Sequence, residues 1–219
     1  TSIEEQNLWF EASDKAHLKE YLSTELVSNN NSDISADLGF GEVLHTGRLD
    51  TLTLLSAYRD WLVKDGLLEL QTFRYNELQI NRDFFTYKNF KAKHVVFAEG
   101  YNPFFNYLPM QGSKGEYLII RSRGLREINV IKSSVFLIPL GNDLYKVGAT
   151  YNREDKTNLP SMVAKQELLD KLKDFINCEF EVVDQLAGIR PTIRDRRPLV
   201  GEHPVHARMW VLNGFGSHG

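Results

Sequence analysis

The sequence predicts a mixed α/β and α+β fold in which an α/β unit and an antiparallel unit are interleaved along the chain. Three observations predict it. A helix-spaced segment leads into a short β-branched run, Val95-Val96-Phe97, that ends in glycine at Gly100. Strand signals dominate residues 116–150. A last apolar run, Met209-Trp210-Val211-Leu212, ends in a glycine cluster, Gly214-Phe215-Gly216-Ser217-His218-Gly219.

The elements follow in order. Residues 28–33 contain three consecutive asparagines and read as a surface loop. Residues 43–50 read as a short strand and turn. Asp50 is placed to cap a helix from Thr51, because its side chain can accept from the first free N–H groups. Leu54, Tyr58, Trp61 and Leu62 recur at helical spacing and predict a buried face. Gly66 suits a left-handed helix stop. Residues 67–73, 77–80 and 84–87 are strand candidates. Residues 117–120, 135–139 and 144–149 predict an antiparallel meander turning at Asn142-Asp143. Ser161 caps a second predicted helix, with Leu168, Leu172, Phe175 and Ile176 on its apolar face. The end reads as a strand over 181–186, a basic turn over 190–197, and the strand over 209–212.

Composition bounds the function. With 219 residues, 42% apolar and 25% charged, the chain can build one large or two small cores. A formal net charge of −3 gives no reason to expect nucleic acid or a membrane surface as partner. The single cysteine, Cys178, cannot form an intrachain disulfide; a packed role and a cytoplasmic compartment are expected. No run approaches the roughly 20 apolar residues of a spanning helix. The start at Thr1 and the end within glycines read as those of a fragment.

Two local features carry chemistry. The terminal glycine cluster lets backbone N–H groups approach a ligand, and a helix beyond it would face an anion or an electron-rich ring with its positive end. The same residues also suit a tight turn without a ligand. In Gly188-Ile189-Arg190-Pro191 the proline holds Arg190 extended, and its guanidinium can grip a carboxylate through two parallel bonds. A structural arginine is the alternative. Arg194, Arg196 and Arg197 around Asp195 read as a solvated turn with a local ion pair. His203 and His206 stand three apart without a third ligand, so no metal site is expected. No hydrolase elbow, phosphate loop or G-x-G-x-x-G fingerprint occurs.

Together and in this order, the segments resemble the D-amino-acid-oxidase superfamily of flavoproteins, which includes glycine oxidase and sarcosine oxidase. His45-Thr46-Gly47-Arg48-Leu49-Asp50 and its helix resemble the family's elements before the adenine-contacting strand. Val95 to Gly100 resembles its second FAD segment, and Lys114-Gly115-Glu116 its Lys/Arg-Gly-Gln/Glu. Phe136-Leu137-Ile138-Pro139 and Val147-Gly148-Ala149-Thr150 resemble the hairpin flooring the substrate pocket. Gly188-Ile189-Arg190-Pro191-Thr192 with Asp195, Pro198 and Gly201 resembles the Gly-Leu-Arg-Pro signature.

The resemblance implies a partial Rossmann-like FAD domain interleaved with an antiparallel substrate domain. Residues 1–44 and 106–187 fall to the substrate domain, and 45–105 and 188–219 to the FAD domain. It implies FAD as cofactor, contacted by Tyr75, Ala98, Glu99, Gly100, Gly214, Gly216, Ser217, His218 and Gly219. It implies a small amine or amino acid as substrate, with Arg190 holding its carboxylate and Phe136 lining the pocket. The implied reaction is hydride transfer from a C–N carbon to flavin, with no dedicated catalytic side chain. It places the first βαβ unit upstream of Thr1, so the fragment alone is expected to hold FAD poorly and to be inactive. Phe136 stands where family amino-acid oxidases often carry a tyrosine, and Glu99 replaces a small residue. An oxidase of a modified tRNA base and a non-catalytic domain of the same fold are the alternatives.

Overall fold

The computed structural model describes residues 2–102 and 108–216. Helix α1 (Ile3–Ser13) starts at Ser2, whose hydroxyl accepts from the Glu5 N–H. Strands β1 (Leu22–Val27) and β2 (Phe40–Val43) form a small antiparallel pair. The strand expected within 43–50 therefore precedes that segment and ends at Val43. Helix α2 (Thr51–Lys64) has the predicted cap: Asp50 accepts from the Thr53 N–H. Gly66 takes φ +66°.

One expectation for α2 fails. Leu54, Tyr58 and Trp61 are 49%, 54% and 48% exposed, and no residue of the helix is buried. An apolar stripe is buried only when another element covers it, and no described element covers this one.

Strands β3 (Leu78–Ile80), β4 (Phe85–Tyr87) and β5 (Phe90–Ala92) form an antiparallel meander. Residues 67–73 are not a strand as expected. They find no ladder partner, and Phe73 instead stacks its ring on Tyr87 at 4.5 Å.

β6 (Val95–Phe97) runs parallel to β13 (Met209–Asn213), with β12 (Leu199–Glu202) antiparallel on the far side of β13. The two apolar runs that end in glycine thus share one sheet.

The main sheet has the order β11-β7-β10-β9-β8 and is antiparallel throughout. Its strands are β7 (Ser113–Arg121), β8 (Ile131–Lys132), β9 (Phe136–Gly141), β10 (Leu144–Gly148) and β11 (Glu181–Arg190). Asn142 and Asp143 both take positive φ, 53° and 60°, which matches the right-handed twist of a two-residue hairpin. Arg190, read from sequence as opening a turn, is the last residue of β11 and pairs with Ser113.

Alternation gives this sheet two unlike faces. Leu118, Ile120, Leu137 and Val147 are fully buried on one, beneath α3 (Met162–Lys173) with its Leu168 and Leu172. Phe175 and Ile176 join this core as expected, and half-buried Cys178 packs against it. Tyr117, Phe136 and Arg190 point to the other, open face.

Candidate functional site

The open face is organised by glycines. Residues Leu186, Tyr117, Gly148, Phe136 and Lys132 form one row across the five strands. At Gly148 a side chain would meet Tyr117 Cβ at 2.8 Å, so glycine keeps the row open. Two residues along β7 lies Gly115. A Cβ there would stand 2.1 Å from Arg190 Nη2, which shows that the guanidinium lies directly over this glycine. Arg190 is half-buried, and its Nη1 donates to the Thr150 carbonyl at 3.3 Å. Among the described residues its fork makes no other hydrogen bond, which leaves N–H groups for a ligand.

Phe136 is 43% exposed on the same face, and its ring receives the Lys132 ammonium at 5.7 Å. Lys146 lies 3.8 Å above the Tyr117 ring, and burial pushes its amine pKa down. Tyr117 and Lys146 were read from sequence only as strand residues, and Gly148 as part of a segment resembling the hairpin that floors the substrate pocket. Their facing depends on the register of three strands.

A second cluster sits where the parallel strands end. Ala98, Glu99 and Gly100 follow β6, and Gly214 follows β13. Gly100, Gly214 and Gly216 all take positive φ, at 66°, 74° and 63°. A Cβ at Gly100 would meet no described residue within 4 Å. Asn213, which sequence reading passed over, ties the two strand ends together. Its Nδ2 donates to the Gly100 carbonyl at 2.7 Å, and its Oδ1 accepts from the Gly214 N–H at 2.8 Å. It is 6% exposed.

Tyr75 reaches the same place from the turn before β3. Its hydroxyl donates to Glu99 Oε1 at 2.5 Å and accepts from Asn102 Nδ2 at 2.6 Å. Burial, then the Glu99 carboxylate, push its phenol pKa up to about 12. The carboxylate at Glu99 is thereby engaged within the protein. Ser217, His218 and Gly219 lie outside the described residues.

The two clusters are joined by one short path. The Gly216 N–H donates to the Pro191 carbonyl at 2.9 Å, and Pro191 directly follows Arg190. The glycine loop and the guanidinium are therefore held in register by backbone.

Other expected features take structural roles. His203 Nδ1 accepts from the Val205 and His206 N–H groups at 3.1 Å each, and no metal-holding cluster is found among the described residues. Asp195 accepts from the Arg197 backbone N–H at 3.0 Å, and no side-chain ion pair forms there among the described residues, contrary to expectation.

The open end of a parallel strand pair, lined by glycines, is where α/β folds bind dinucleotides. Beside it stands a sheet face carrying a forked cation. This combination is that of a dinucleotide-binding type of fold with an anion-holding face beside it. The sequence profile of the FAD dependent oxidoreductase (DAO) family matches residues 4–219, and the chain belongs to that family. It is similar to glycine oxidase of Bacillus licheniformis, at 27% identity over 138 residues, covering 59% of this chain and 37% of that relative. Glycine oxidase of Bacillus subtilis (strain 168) is 26% identical over 58% of this chain and 37% of its own length. The matched part thus spans little more than a third of these curated relatives. The crystal structure of glycine oxidase from Bacillus cereus ATCC 14579 superposes with a TM-score of 0.74 at 16% identity, covering 100% of this chain and 65% of that one. No described helix is long and apolar enough to cross a membrane.

The described residues fit FAD. Gly100 and Gly216 present backbone without side chains, and no described residue would crowd a Cβ at Gly100 within 4 Å.

Proposed function

We propose that the full-length protein is an FAD-dependent oxidoreductase that oxidises the C–N bond of a small amine or amino acid. The observation that carries this reading is the guanidinium of Arg190, seated over Gly115 on the open sheet face and linked through Pro191 to the glycine loop at Gly216.

Ala98, Glu99, Gly100, Gly214 and Gly216, with Tyr75 behind Glu99, would hold the cofactor, together with Ser217, His218 and Gly219. Bound FAD would supply a two-electron acceptor for the hydride leaving the carbon beside the amine nitrogen. Residues 45–105 and 188–219 would then serve the cofactor, and 1–44 and 106–187 the substrate.

The chain's own residues orient and shield. Arg190 would take the substrate carboxylate in its planar fork, which sets distance and direction together. Phe136 and Tyr117 would wall the pocket with apolar surface and exclude water. An amine bound in its neutral form needs no proton-abstracting side chain.

The test is steady-state kinetics of the FAD-loaded full-length protein. Arg190→Lys keeps the charge but loses the fork. It should raise KM for a carboxylated amine and lower kcat. Arg190→Ala should cost about 2–5 kcal/mol in kcat/KM. Flavin content should stay constant in both. Unchanged kinetics in Arg190→Ala would remove it from the substrate site, and lost flavin would assign it to the cofactor.

A further inference from the structure

We propose that Tyr151 and Arg153 form a second anion-binding position beside Arg190, so that the amine oxidised by this protein carries two acidic groups. The inference rests on the reading of Arg190 as the holder of the first carboxylate.

Strand alternation places the three residues on one face. Asn152 bridges to Lys114, whose side chain is 1% exposed on the core side. The neighbours Tyr151 and Arg153 therefore turn to the open side, where Arg190 lies. Ring contacts bear this out. The Arg190 guanidinium carbon is 5.9 Å from the Tyr151 ring centre, and that of Arg153 is 5.4 Å from it. Two forked cations thus share one aromatic ring.

These cations lack counter-charges. Among the described residues no carboxylate pairs with Arg153, Arg190 or Arg196. Asp155 is committed to Lys114 at 2.6 Å, and Asp195 to the backbone at Arg197. Neighbouring positive charges without an anion repel each other, and the repulsion grows as water is excluded. The site is therefore built for an anion to arrive.

Further polar groups gather at the same spot. The Ser113 hydroxyl, on the strand residue paired with Arg190, is fully buried and has no hydrogen-bond partner of good geometry. It lies close enough to the Tyr151 phenol, with Arg153, to hold the phenol's pKa below its usual value. Tyr151 itself is 57% exposed, so its side chain is within reach of a ligand.

Stoichiometry then sets the substrate class. One guanidinium fork occupies both oxygens of one carboxylate. A second fork beside the same ring calls for a second planar anion. The Tyr151 hydroxyl can donate to either and supplies the phenol that position 136 lacks. A dicarboxylic amine meets all three groups at once; a monocarboxylic one leaves Arg153 unpaired.

The test uses FAD-loaded full-length protein and matched substrates differing by one carboxylate. Iminodiacetate is compared with N-ethylglycine, and each enantiomer of aspartate with 2-aminobutyrate. The wild type should favour the dicarboxylate in kcat/KM by about tenfold or more, a factor worth about 1.4 kcal/mol. Arg153→Met should bring that ratio near unity, and Tyr151→Phe, which keeps the ring, should lower it part of the way. A second readout needs no turnover: dissociation constants of succinate and butyrate, followed by the flavin absorbance. Succinate should bind more tightly, and Arg153→Met should abolish the difference. A wild-type ratio at or below one, or a ratio untouched by Arg153→Met, overturns the proposal. Should none of these amines be oxidised, C–N oxidation falls instead. The succinate and butyrate constants then still decide the anion position, which stands on a difference that Arg153→Met removes and falls without one.

Discussion

The three atoms that a methyl group at position 115 would meet first all belong to the far end of one flexible side chain, the Arg190 guanidinium. Gly115 has no positive φ, so alanine is compatible with its backbone. Gly115→Ala should therefore leave thermal stability nearly unchanged, within about 0.5 kcal/mol. It should nonetheless displace the fork and raise KM for a carboxylated amine much as Arg190→Lys does. A melt with unchanged midpoint alongside unchanged KM would show that the fork does not bind substrate. Arg190 itself was legible in Gly-Ile-Arg-Pro. Its seat was not, because Gly115 lies in a different strand and nothing local marks it as the partner of an arginine. Tyr75 shows the same limit from the other side. Its name was available from the family resemblance, but its hold on Glu99 depends on how residues 73–102 fold back. That contact has a pH consequence. A phenol whose folded pKa is raised contributes stability fully below its unfolded value, near 10, and loses it as pH rises through about 12. In a titration followed by NMR of labelled tyrosine rings, Tyr75 should remain protonated at pH 11, where exposed phenols ionise. Ionisation of Tyr75 near pH 10 would contradict the contact.

Among the elements, α3 is anchored to the sheet by a buried polar network that the sequence hid. Ser161 caps α3 through the Ala164 N–H and also donates to Glu116, which Gln185 reaches from β11. Lys114, 1% exposed, bridges Glu116 at 3.3 Å and Asp155 at 2.6 Å. Ser161 was legible as a cap. Lys114-Gly115-Glu116 was legible only as a family fragment, since charged residues at alternating strand positions normally face water. Ser161→Ala removes both cap and carboxylate partner and should cost about 1–2 kcal/mol in urea unfolding. Lys114→Met leaves Glu116 buried without its cation and should cost on the order of 3 kcal/mol. Acid sensitivity follows from the same bonds. Lys114 first, then Thr157, hold the Asp155 carboxyl down to about 2. Burial pushes Glu116 up, but bonds from Ser161, Gln185 and Lys114 outweigh it and hold its pKa below the usual value. Depressed carboxyls give stability above their unfolded pKa values, near 4, that is lost as pH falls through the folded ones. Wild-type stability should thus decline between about pH 4 and 2. The decline should be shallower in Lys114→Met, because the leading cause at Asp155 and one of several at Glu116 are gone. Helix α2 was read correctly in its limits and wrongly in its packing. Periodicity reports which face is apolar, not whether anything covers it.

Across the whole chain, burial is uneven, and that sets which parts respond to a ligand. The fully buried apolar side chains Leu118, Ile120, Leu125, Leu137, Val147, Leu168 and Leu172 all belong to the five-stranded sheet, α3 or the loops between them. In the three strands β12, β13 and β6, Met209 and Asn213 are the buried residues, and α2 has none. The strand pattern made the five-stranded sheet legible because each strand alternates against a real core. The parallel pair was legible for another reason: two glycine-terminated apolar runs fit the end of one ligand-binding sheet. Local stability scales with apolar contact density, so amides should open at different free energies. Hydrogen exchange should be slowest in β7, β10 and the paired part of β11, approaching the global unfolding limit. Amides of β6 and β13 should exchange faster. A ligand held at Gly100 and Gly214 binds the closed strand ends and not the opened ones, so it stabilises by mass action only the segments whose opening destroys its site. Adding FAD to the full-length apoprotein should therefore slow exchange in β6, β13 and residues 98–100 more than in β7 and β10. Equal protection of both sheets would mean that they open as one unit. No change in β6 and β13 would place the cofactor elsewhere.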